Sequence, residues 1–406
     1  MKNQYDIIII GGGAAGFFTA INILENKPNL NVAILERGKD VLTKVKVSGG
    51  GRCNVTHAEF IPNELNKNYP RGEKELLGPF HTFMTGDTIE WFEKRGVPLK
   101  IEEDGRMFPV SDSSQTIIDC FLNETKRLGI SLLTNTSVKN IEKESNNWLL
   151  ETNKGAYKSK KIVIASGSNP KIWNILEQLG HTIISPVPSL FTFNIDDSRI
   201  EGLSGVSLKA SISVFNENNK KIFLNDGPLL VTHWGLSGPA VLELSAWGAR
   251  ELHELNYQFN IKVNWLHEME IDIAYKNIQL FSQELAKKTI LKNAQFDLPK
   301  RLWQSLVTAS NISRPLKWAD ITKKQMQELA SQLTESKFQV NGKSTFKEEF
   351  VTAGGVDLKE INFKNFNSKI FPELYFAGEV LNIDAITGGF NFQNAWTGGY
   401  IVSQSV

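Results

Sequence analysis

Apolar residues near the start of the chain form two short runs separated by a glycine-rich turn and an amphipathic stretch. Asp6–Ile10 is a β-branched apolar run, which predicts a buried parallel strand. Helical spacing follows over Ala14–Asn26, Pro28 ends this helix, and Asn31–Glu36 has the pattern of a second strand. Together they predict a βαβ unit of about 30 residues.

The middle of the chain changes its periodicity several times. Helical spacing predicts helices over Thr85–Arg95 and Ser114–Leu128, and alternation from Ile130 to Ile164 predicts a small β-meander. Strand patterns dominate Ser189–Val263, residues 268–335 are mostly helical, and strand patterns return near Gly342. A dense glycine cluster then lies within residues 350–406.

These patterns predict an α/β fold with a discontinuous cofactor domain. The N-terminal βαβ unit and the C-terminal glycine cluster both have the residues of a cofactor site, so one domain is expected to comprise residues 1–188 and 343–406. An inserted β domain is expected over 189–267. A helical subdomain over 268–342 is expected to return to that β domain.

Composition narrows the class of protein. Hydrophobic residues make up 41% and charged residues 22%, as in ordinary globular enzymes, and the net charge of +1 gives no general attraction to nucleic acid or membrane. Cys53 and Cys120 are too few for a disulfide framework and fit a reducing cytoplasm. Glycines interrupt the apolar run Ile7–Leu24, so we expect no membrane span. The sequence contains no cluster of His and Cys at metal-ligand spacing, so we expect no metal site.

The turn between the first strand and helix carries a dinucleotide-binding motif. In Gly11-Gly12-Gly13-Ala14-Ala15-Gly16, the first glycine permits a tight turn, Gly13 lets the backbone approach a pyrophosphate, and Gly16 allows close helix packing. The helix N-terminus then faces the phosphates. Glu36, roughly 20 residues further on, can accept hydrogen bonds from the ribose and disfavours a 2′-phosphate. Arg37 beside it belongs to the predicted site.

Two later segments favour FAD over NAD. Ala165-Ser166-Gly167 ends a strand as in flavoproteins with two dinucleotide-binding domains, and this resemblance implies an adenine contact at Val138. Gly378-Glu379 resembles the strand end that holds the ribityl chain in such proteins. Gly388-Gly389-Phe390-Asn391 then opens the last helix, whose N–H groups can lie against the flavin N1/O2 edge. An ordinary loop and helix cap is the alternative for this last cluster.

Five stretches together carry a resemblance to a known family: Gly11–Gly16, Lys46–Thr56, Thr232–Ala240, Val351–Val356 and Gly378–Asn391. With them the sequence resembles the YhiN/BaiN-like bacterial flavoproteins, a family of NAD(P)/FAD-dependent oxidoreductases that includes aminoacetone oxidase-type enzymes. The resemblance implies an FAD domain with tightly and non-covalently bound FAD, an inserted β-barrel-like domain and a helical subdomain. It also implies that Ser48–Thr56 lines the flavin. The family usually has Asp where this chain has Asn382, so a carboxylate role there is in doubt.

The Lys46–Thr56 segment supplies most of the remaining candidates. Its glycines let the backbone approach a flat ring, and Arg52 can neutralise a pyrophosphate or a flavin. Cys53 is either a proton donor or, as we favour, a small buried residue. His57 and His233 suit packing and catalysis equally. The binding candidates in the segment are Lys46, Ser48, Gly49, Gly50, Gly51, Arg52, Cys53 and Asn54.

A basic stretch, Lys287–Lys324, lies in the predicted helical subdomain. Asp297 and Asp320 are its only acidic residues, and Phe296, Trp303 and Trp318 are interleaved. Lysines can bind RNA phosphates and aromatics can stack on bases, but a solvated face over an aromatic core is the favoured interpretation. The family resemblance implies reduction of a uracil in ribosomal RNA and therefore keeps the RNA hypothesis open.

The leading functional hypothesis is a cytoplasmic FAD-dependent oxidoreductase. The sequence has no Cys-x-x-Cys motif, which excludes the disulfide reductases. It also has no second glycine motif for a nicotinamide domain, so NAD(P)H is expected to dock transiently. The expected acceptor has a polarised double bond. The alternatives are a ribosomal RNA uridine reductase, an amine oxidase and a non-catalytic flavin-binding protein. The sequence leaves the oligomeric state open.

Overall fold

The computed structural model describes residues 3–216, 218, 220–313, 315–344 and 351–406. The chain divides into two compact units: the first comprises Met1–Val187 with Lys347–Val406, and the second comprises Pro188–Phe346. Each unit has its own hydrophobic core. Among the described residues, no helix is long and apolar enough to cross a membrane.

The strands, in chain order, are β1 (Gln4–Ile10), β2 (Val32–Leu35), β3 (Thr56–His57), β4 (Leu99–Ile101), β5 (Arg106–Pro109), β6 (Ser131–Leu133), β7 (Val138–Glu144), β8 (Asn147–Thr152), β9 (Gly155–Ile164), β10 (Ile183–Ser189), β11 (Thr192–Asn194), β12 (Ser207–Phe215), β13 (Lys221–Val231), β14 (Gly235–Ser237), β15 (Gln258–Asn264), β16 (Ser336–Asn341), β17 (Lys343–Ser344), β18 (Val351–Val356), β19 (Ile361–Asn362), β20 (Asn367–Ser368) and β21 (Leu374–Phe376).

The helices are α1 (Ala14–Asn26), α2 (Thr43–Gly51), α3 (Pro62–Leu65), α4 (Glu73–Phe80), α5 (Thr85–Glu93), α6 (Ser114–Arg127), α7 (Pro170–Gln178), α8 (Pro239–Trp247), α9 (Ala249–Glu254), α10 (Ile271–Glu284), α11 (Lys300–Ala309), α12 (Lys323–Thr334) and α13 (Phe390–Ser405). Short 3₁₀ turns add Asn66–Asn68, Ile290–Lys292, Trp318–Asp320 and Leu358–Glu360.

The first unit is built on a parallel sheet with the neighbour order β21-β9-β1-β2-β6. Ile7–Ile10 of β1 is fully buried, as expected for a central strand covered on both faces. Helices α1 and α13 pack closely because Gly399 has no side chain: a Cβ there would lie 2.8 Å from Thr19 Oγ1. This sheet places all five carboxyl strand ends along one edge.

The second unit contains an antiparallel sheet whose ends are joined by one stretch of chain. The neighbour order is β16-β15-β12-β13-β14-β11-β17. Strand β16 pairs with β15, Gly342 follows at φ +105°, and β17 pairs with β11. Because β16 and β17 are consecutive, the stretch Ser336–Ser344 closes the order into a ring. This closed order of strands confirms the predicted barrel-like character of the β domain.

The predicted mixed α/β fold is confirmed, and so are most predicted elements. Helix α1 has the predicted bounds, α5 and α6 lie where helical spacing placed them, and β7, β8 and β9 form the predicted meander. Two helices, α8 and α9, lie inside the segment predicted to be strand-rich, so that expectation was incomplete there. The predicted domain boundaries stay a prediction.

Candidate functional site

The glycine-rich segments converge because they follow neighbouring parallel strands. Gly11 N donates to Leu35 O at 2.9 Å, Ala165 N donates to Ile10 O at 2.9 Å, and Ala377 N donates to Ile164 O at 3.0 Å. These bonds continue the sheet pairing just beyond the carboxyl ends of β1, β2, β9 and β21. In open α/β sheets this edge, where connections leave in opposite directions, is where ligands bind.

The three glycines that form the Gly-x-Gly-x-x-Gly motif have different surroundings. A Cβ on Gly11 would lie 2.3 Å from Ala165 O, and one on Gly16 would lie 2.0 Å from Gly11 O. No atom lies within 4 Å of a Cβ built on Gly13. The first and third glycines are therefore required by packing, whereas Gly13 presents bare backbone to open space at the start of α1. Ala14 and Ala15 form the first turn of that helix.

Glu36 is aimed at this turn by two backbone donors. Gly12 N donates to its Oε2 at 2.8 Å, and Gly38 N donates to its Oε1 at 2.7 Å. Thr136 N donates to Glu36 O at 2.8 Å, so the residues leading into Val138 lie beside the same loop. Each carboxylate oxygen retains a lone pair for a ribose hydroxyl. Arg37 is exposed and Val138 is buried.

The Ser48–Asn54 segment leaves helical geometry after the first half of α2. Gly49, Gly50 and Gly51 have φ of +57°, +68° and +85°. A Cβ on Gly49 would lie 2.9 Å from the Phe108 ring, but Gly50 and Gly51 have no neighbour within 4 Å. Consecutive left-handed glycines leave the backbone uncovered, which allows close approach of a flat ligand.

Arg52 and Cys53 have surroundings that limit their chemistry. Arg52 pairs with Glu102 at 2.6 Å and Asp112 at 3.4 Å and lies 3.9 Å from the centroid of the Phe108 ring. The hydrogen bond to Glu102 raises the pKa of Arg52 further. Burial raises the pKa of the Cys53 thiol to about 12, which supports the packing interpretation of this residue. Lys46 is exposed, and its carbonyl accepts from Ser114 Oγ.

The segments after β21 and before α13 complete the cluster. Glu379 Oε2 pairs with Lys44 at 2.6 Å and lies 3.8 Å from a Cβ built on Gly167. Gly389 caps α13 at φ +99°, where a Cβ would lie 2.6 Å from Thr56 O. The sequence-predicted segments of the first unit therefore lie along one continuous edge.

Phe390 and Asn391 support the start of α13. Phe390 stacks on His57 with ring centroids 4.5 Å apart, and His57 Nδ1 lies 3.1 Å from Gly388 O. The Asn391 amide both donates to and accepts from the Ala385 backbone at 3.1 Å. These side chains fix the loop that precedes α13 and leave the first-turn N–H groups of the helix to an external acceptor.

Several buried polar atoms near this loop make no hydrogen bond with any described residue. They are Asn54 Oδ1, Asn382 Oδ1 and both amide atoms of Asn394. Asn54 Oδ1 lies 2.9 Å from the Cβ position of Gly389, next to the α13 N-terminus. Buried polar groups are nearly always satisfied, so these atoms fit a polar ligand. The open backbone at Gly13 is suited to a phosphate group, and the uncovered Asn54 Oδ1 is suited to a polar N–H group of a ligand.

Sequence reasoning missed the clamp formed by Tyr69, Arg71 and Asp384. The buried carboxylate of Asp384 accepts two hydrogen bonds from Arg71, and Tyr69 Oη donates to Phe390 O at 2.6 Å. Ile386 N also donates to Asn68 O at 3.0 Å. The clamp holds the loop before α13. Its members are far apart in sequence, so no local pattern reveals it.

The remaining candidates lie in the second unit. His233 is exposed, and its role stays a prediction. Trp303 and Trp318 are completely buried, so the idea that they stack on bases is wrong and the core interpretation of both is confirmed. Arg314, one of the basic residues of the Lys287–Lys324 stretch, lies outside the described residues. In the described part of the chain, no group of His, Cys, Asp or Glu is arranged to hold a metal.

The parallel sheet, the Gly-x-Gly-x-x-Gly turn and the acidic residue after β2 define a Rossmann-type dinucleotide-binding fold, and the family to which the chain belongs makes it the FAD-binding type. The chain belongs to the HI0933-like protein Rossmann domain family, whose model matches residues 5–405. The family resemblance found in the sequence is therefore confirmed, and with it membership of a family of FAD-dependent oxidoreductases.

Three known proteins illustrate the relationship. A ribosomal RNA dihydrouridine synthase from Haemophilus influenzae is 31% identical and aligns with 100% of this chain and 99% of its own. A 3-dehydro-bile acid delta(4,6)-reductase from Clostridium scindens is 24% identical over 98% of both chains. The 3-ketosteroid-delta4-(5alpha)-dehydrogenase structure from Rhodococcus jostii has a TM-score of 0.52, 11% identity and coverage of 99% and 97%, which shows the fold alone.

Proposed function

We propose that this protein is an FAD-dependent oxidoreductase that takes hydride from transiently docked NAD(P)H and delivers it to a carbon–carbon double bond conjugated to a carbonyl. The observation that carries the proposal is the continuous edge from the open Gly13 backbone to the unsatisfied Asn54 amide oxygen beside α13. A cytoplasmic location is part of the proposal, since both cysteines are free.

Two relatives suggest the acceptor class. Dihydrouridine is uridine with the ring double bond next to a carbonyl saturated. The name of the bile-acid reductase likewise specifies double bonds conjugated to a 3-oxo group. Hydride addition to such a bond is favoured because the carbonyl accepts the resulting charge. The acceptors differ in size, but both names are consistent with one chemistry, which we extend to this chain.

The proposed roles of the residues follow from their positions. Bound FAD would supply the hydride-transfer chemistry. The Gly13–Ala15 backbone would hold the pyrophosphate, Glu36 the adenosine ribose and Glu379 the ribityl chain. The α13 N-terminus would stabilise negative charge at the pyrimidine edge of the ring. The roles proposed for Ala165, Gly167, Gly378 and Gly388 are close backbone approach.

The test is anaerobic reduction of the purified protein. We expect co-purified FAD, released by denaturation without a covalent bond, and loss of its visible absorbance when NADH or NADPH is added. Absence of flavin would contradict the proposal, and so would flavin that neither nucleotide reduces. Reduction by an amine, with peroxide formed in air and no need for NAD(P)H, would instead support the amine oxidase hypothesis. Bound flavin that exchanges electrons with no donor would support the non-catalytic one.

Reduction of uridine in ribosomal RNA is the second candidate function. It is favoured by the full-length similarity to the Haemophilus influenzae enzyme at 31% identity. Mass spectrometry of ribosomal RNA from a deletion strain should then show loss of dihydrouridine. Complementation with the wild-type chain should restore it, whereas a Gly13→Val chain should not. Unchanged dihydrouridine in the deletion strain would remove this candidate and leave the oxidoreductase proposal standing.

A further inference from the structure

The segment Lys287–Lys324 of the second unit concentrates positive charge. Asp297 and Asp320 are the only acidic residues in this segment, although the whole chain carries a net charge of only +1. The rest of the chain is therefore net negative. The described basic side chains of the stretch are all exposed: Lys287, Lys288, Lys292, Lys300, Arg301, Lys317, Lys323 and Lys324.

Most of these cations have no partner within the described part of the chain. Lys324 lies 4.0 Å from Glu328, and Arg301 donates to Gly202 O at 3.1 Å. The other six make no ion pair or side-chain hydrogen bond with a described residue.

Backbone pairing brings together the segments that carry three of the lysines, and a fourth lysine follows closely in sequence. Thr289 and Lys317 form an antiparallel bridge, and Trp318 N donates to Lys288 O at 3.0 Å. The segments carrying Lys287, Lys288 and Lys317 therefore run side by side, and Lys292 lies in the 3₁₀ turn that follows. We call Lys287, Lys288, Lys292 and Lys317 the lysine strip.

The helices next to the lysine strip begin with the same sign of charge. Lys300 and Arg301 open α11, Lys323 and Lys324 open α12, and neither helix has an acidic residue in its first turn. Cations at the positive end of a helix dipole are unfavourable for the isolated fold. The arrangement adds to the positive potential of the strip and favours an external anion.

We infer that the lysine strip and the adjoining helix starts bind the phosphate backbone of folded RNA. Trp303 and Trp318 are buried and cannot stack on bases, so the inferred contact is electrostatic and independent of base sequence. This inference rests on the second candidate function, because a ribosomal RNA substrate would need such a surface. An anionic membrane is the competing partner, since Ile273 and Leu280 of α10 are also exposed.

The test is a salt titration with the flavin-loaded protein and a fluorescently labelled RNA hairpin. Four lysines are changed together in the strip variant: Lys287→Gln, Lys288→Gln, Lys292→Gln and Lys317→Gln. A control with the same change of net charge uses exposed lysines of the first unit that make no ion pair with a described residue: Lys74→Gln, Lys126→Gln, Lys139→Gln and Lys364→Gln. Fluorescence anisotropy at several KCl concentrations gives the affinity and its salt dependence.

We expect the strip variant to bind the hairpin at least about tenfold more weakly than wild type at moderate salt. Its slope of log K against log salt should be smaller by about 3 to 4, since each phosphate contact contributes roughly 0.9. The control should match wild type. Equal binding by the strip variant would overturn the inference, and so would equal weakening of the control. Binding to phosphatidylserine vesicles but not to the hairpin would assign the strip to a membrane instead.

The same samples separate this inference from the proposed oxidoreductase activity. The strip variant should retain its flavin, and NAD(P)H should still reduce that flavin. None of the four lysines belongs to the cofactor edge, by which we mean the continuous edge of the first unit that carries Gly13, Asn54 and the start of α13. If the wild-type protein binds flavin that NAD(P)H reduces but does not bind the hairpin, only the inferred RNA-binding surface is refuted. If it binds the hairpin but contains no flavin, only the proposed oxidoreductase activity is refuted.

Discussion

At the scale of single residues, the Asn54 side chain is the most informative part of the cofactor edge. It is buried between the glycine turn of α2 and the start of α13, and its Oδ1 accepts no hydrogen bond from a described residue. A buried acceptor without a donor destabilises the fold by about 1–3 kcal/mol. A ligand N–H at this position would remove that penalty.

Asn54→Ala should therefore weaken FAD binding more than it weakens the fold. Loss of one hydrogen bond of about 1 kcal/mol corresponds to an affinity lower by roughly fivefold. Titration of the apoprotein with FAD measures this, and Asn123→Ala on the exposed face of α6 is the control. Unchanged affinity in Asn54→Ala would show that the amide does not face the cofactor.

Another residue-scale arrangement has the geometry of a hydrolase triad but not its accessibility. His181 Nδ1 lies 2.8 Å from Glu360 Oε2, and His181 Nε2 lies 3.2 Å from Ser368 Oγ. Ser368 Oγ also accepts from the backbone N–H groups of Ile370 and Phe371, and the imidazole is buried. The serine has no exposed lone pair to offer a substrate, so the arrangement is structural.

This cluster predicts a pH-dependent contribution to stability. Desolvation opposes the shift, but hydrogen bonds from Thr182 and His181 lower the pKa of Glu360 below its usual 4.5. A lowered carboxyl pKa stabilises the fold above 4.5, and this contribution is lost as the pH falls through the folded-state value. Glu360→Gln should lose about 1 kcal/mol of unfolding free energy at pH 7 and less at pH 3.5. Urea unfolding at both pH values measures it, and a pH-independent loss would contradict this origin.

At the scale of elements, the glycine turn in α2 combines two demands that can be separated. Gly50 has φ +68° and Gly129 has φ +70°, and neither has an atom within 4 Å of its Cβ position. Alanine in the left-handed region costs roughly 1 kcal/mol wherever it occurs. Any additional effect at Gly50 must come from what approaches its backbone.

We therefore expect Gly50→Ala and Gly129→Ala to lower the unfolding free energy by similar amounts of roughly 1 kcal/mol. Only Gly50→Ala should reduce FAD affinity, because its methyl group would occupy space on the cofactor edge. Thermal unfolding without FAD and titration with FAD give the two quantities. Equal FAD affinity in both variants would mean that this turn does not contact the cofactor.

Element prediction succeeded where local periodicity is strong and failed where it is short. The 13-residue helix α1 has the bounds that its sequence pattern predicts, because the capping glycine, the apolar spacing and Pro28 agree. Helix α8 was missed because a short apolar run suits a buried strand and a buried helix equally. The clamp between Arg71 and Asp384 was beyond reach, because only tertiary packing brings these residues together.

At the scale of the whole molecule, two compact units with separate cores give FAD a local effect on stability. The edge described above belongs to the first unit only. Ligand at about 100 times its dissociation constant stabilises the species that binds it by roughly 2.7 kcal/mol. Calorimetry should therefore show one transition that moves to higher temperature with FAD and one that does not. A single transition shifting as a whole would show that the units unfold together.

The ring in the second unit has a consequence for how the protein is made. Its closing contact between Ser344 and Asn194 spans 150 residues, and β17 is the last strand of the insertion to leave the ribosome. Strand β11 must therefore keep an unpaired edge until the whole insertion has been translated, and such edges promote misassembly. The nascent chain should depend on chaperones during that interval. Truncated chains that end before Ser336 should aggregate more than the full-length chain.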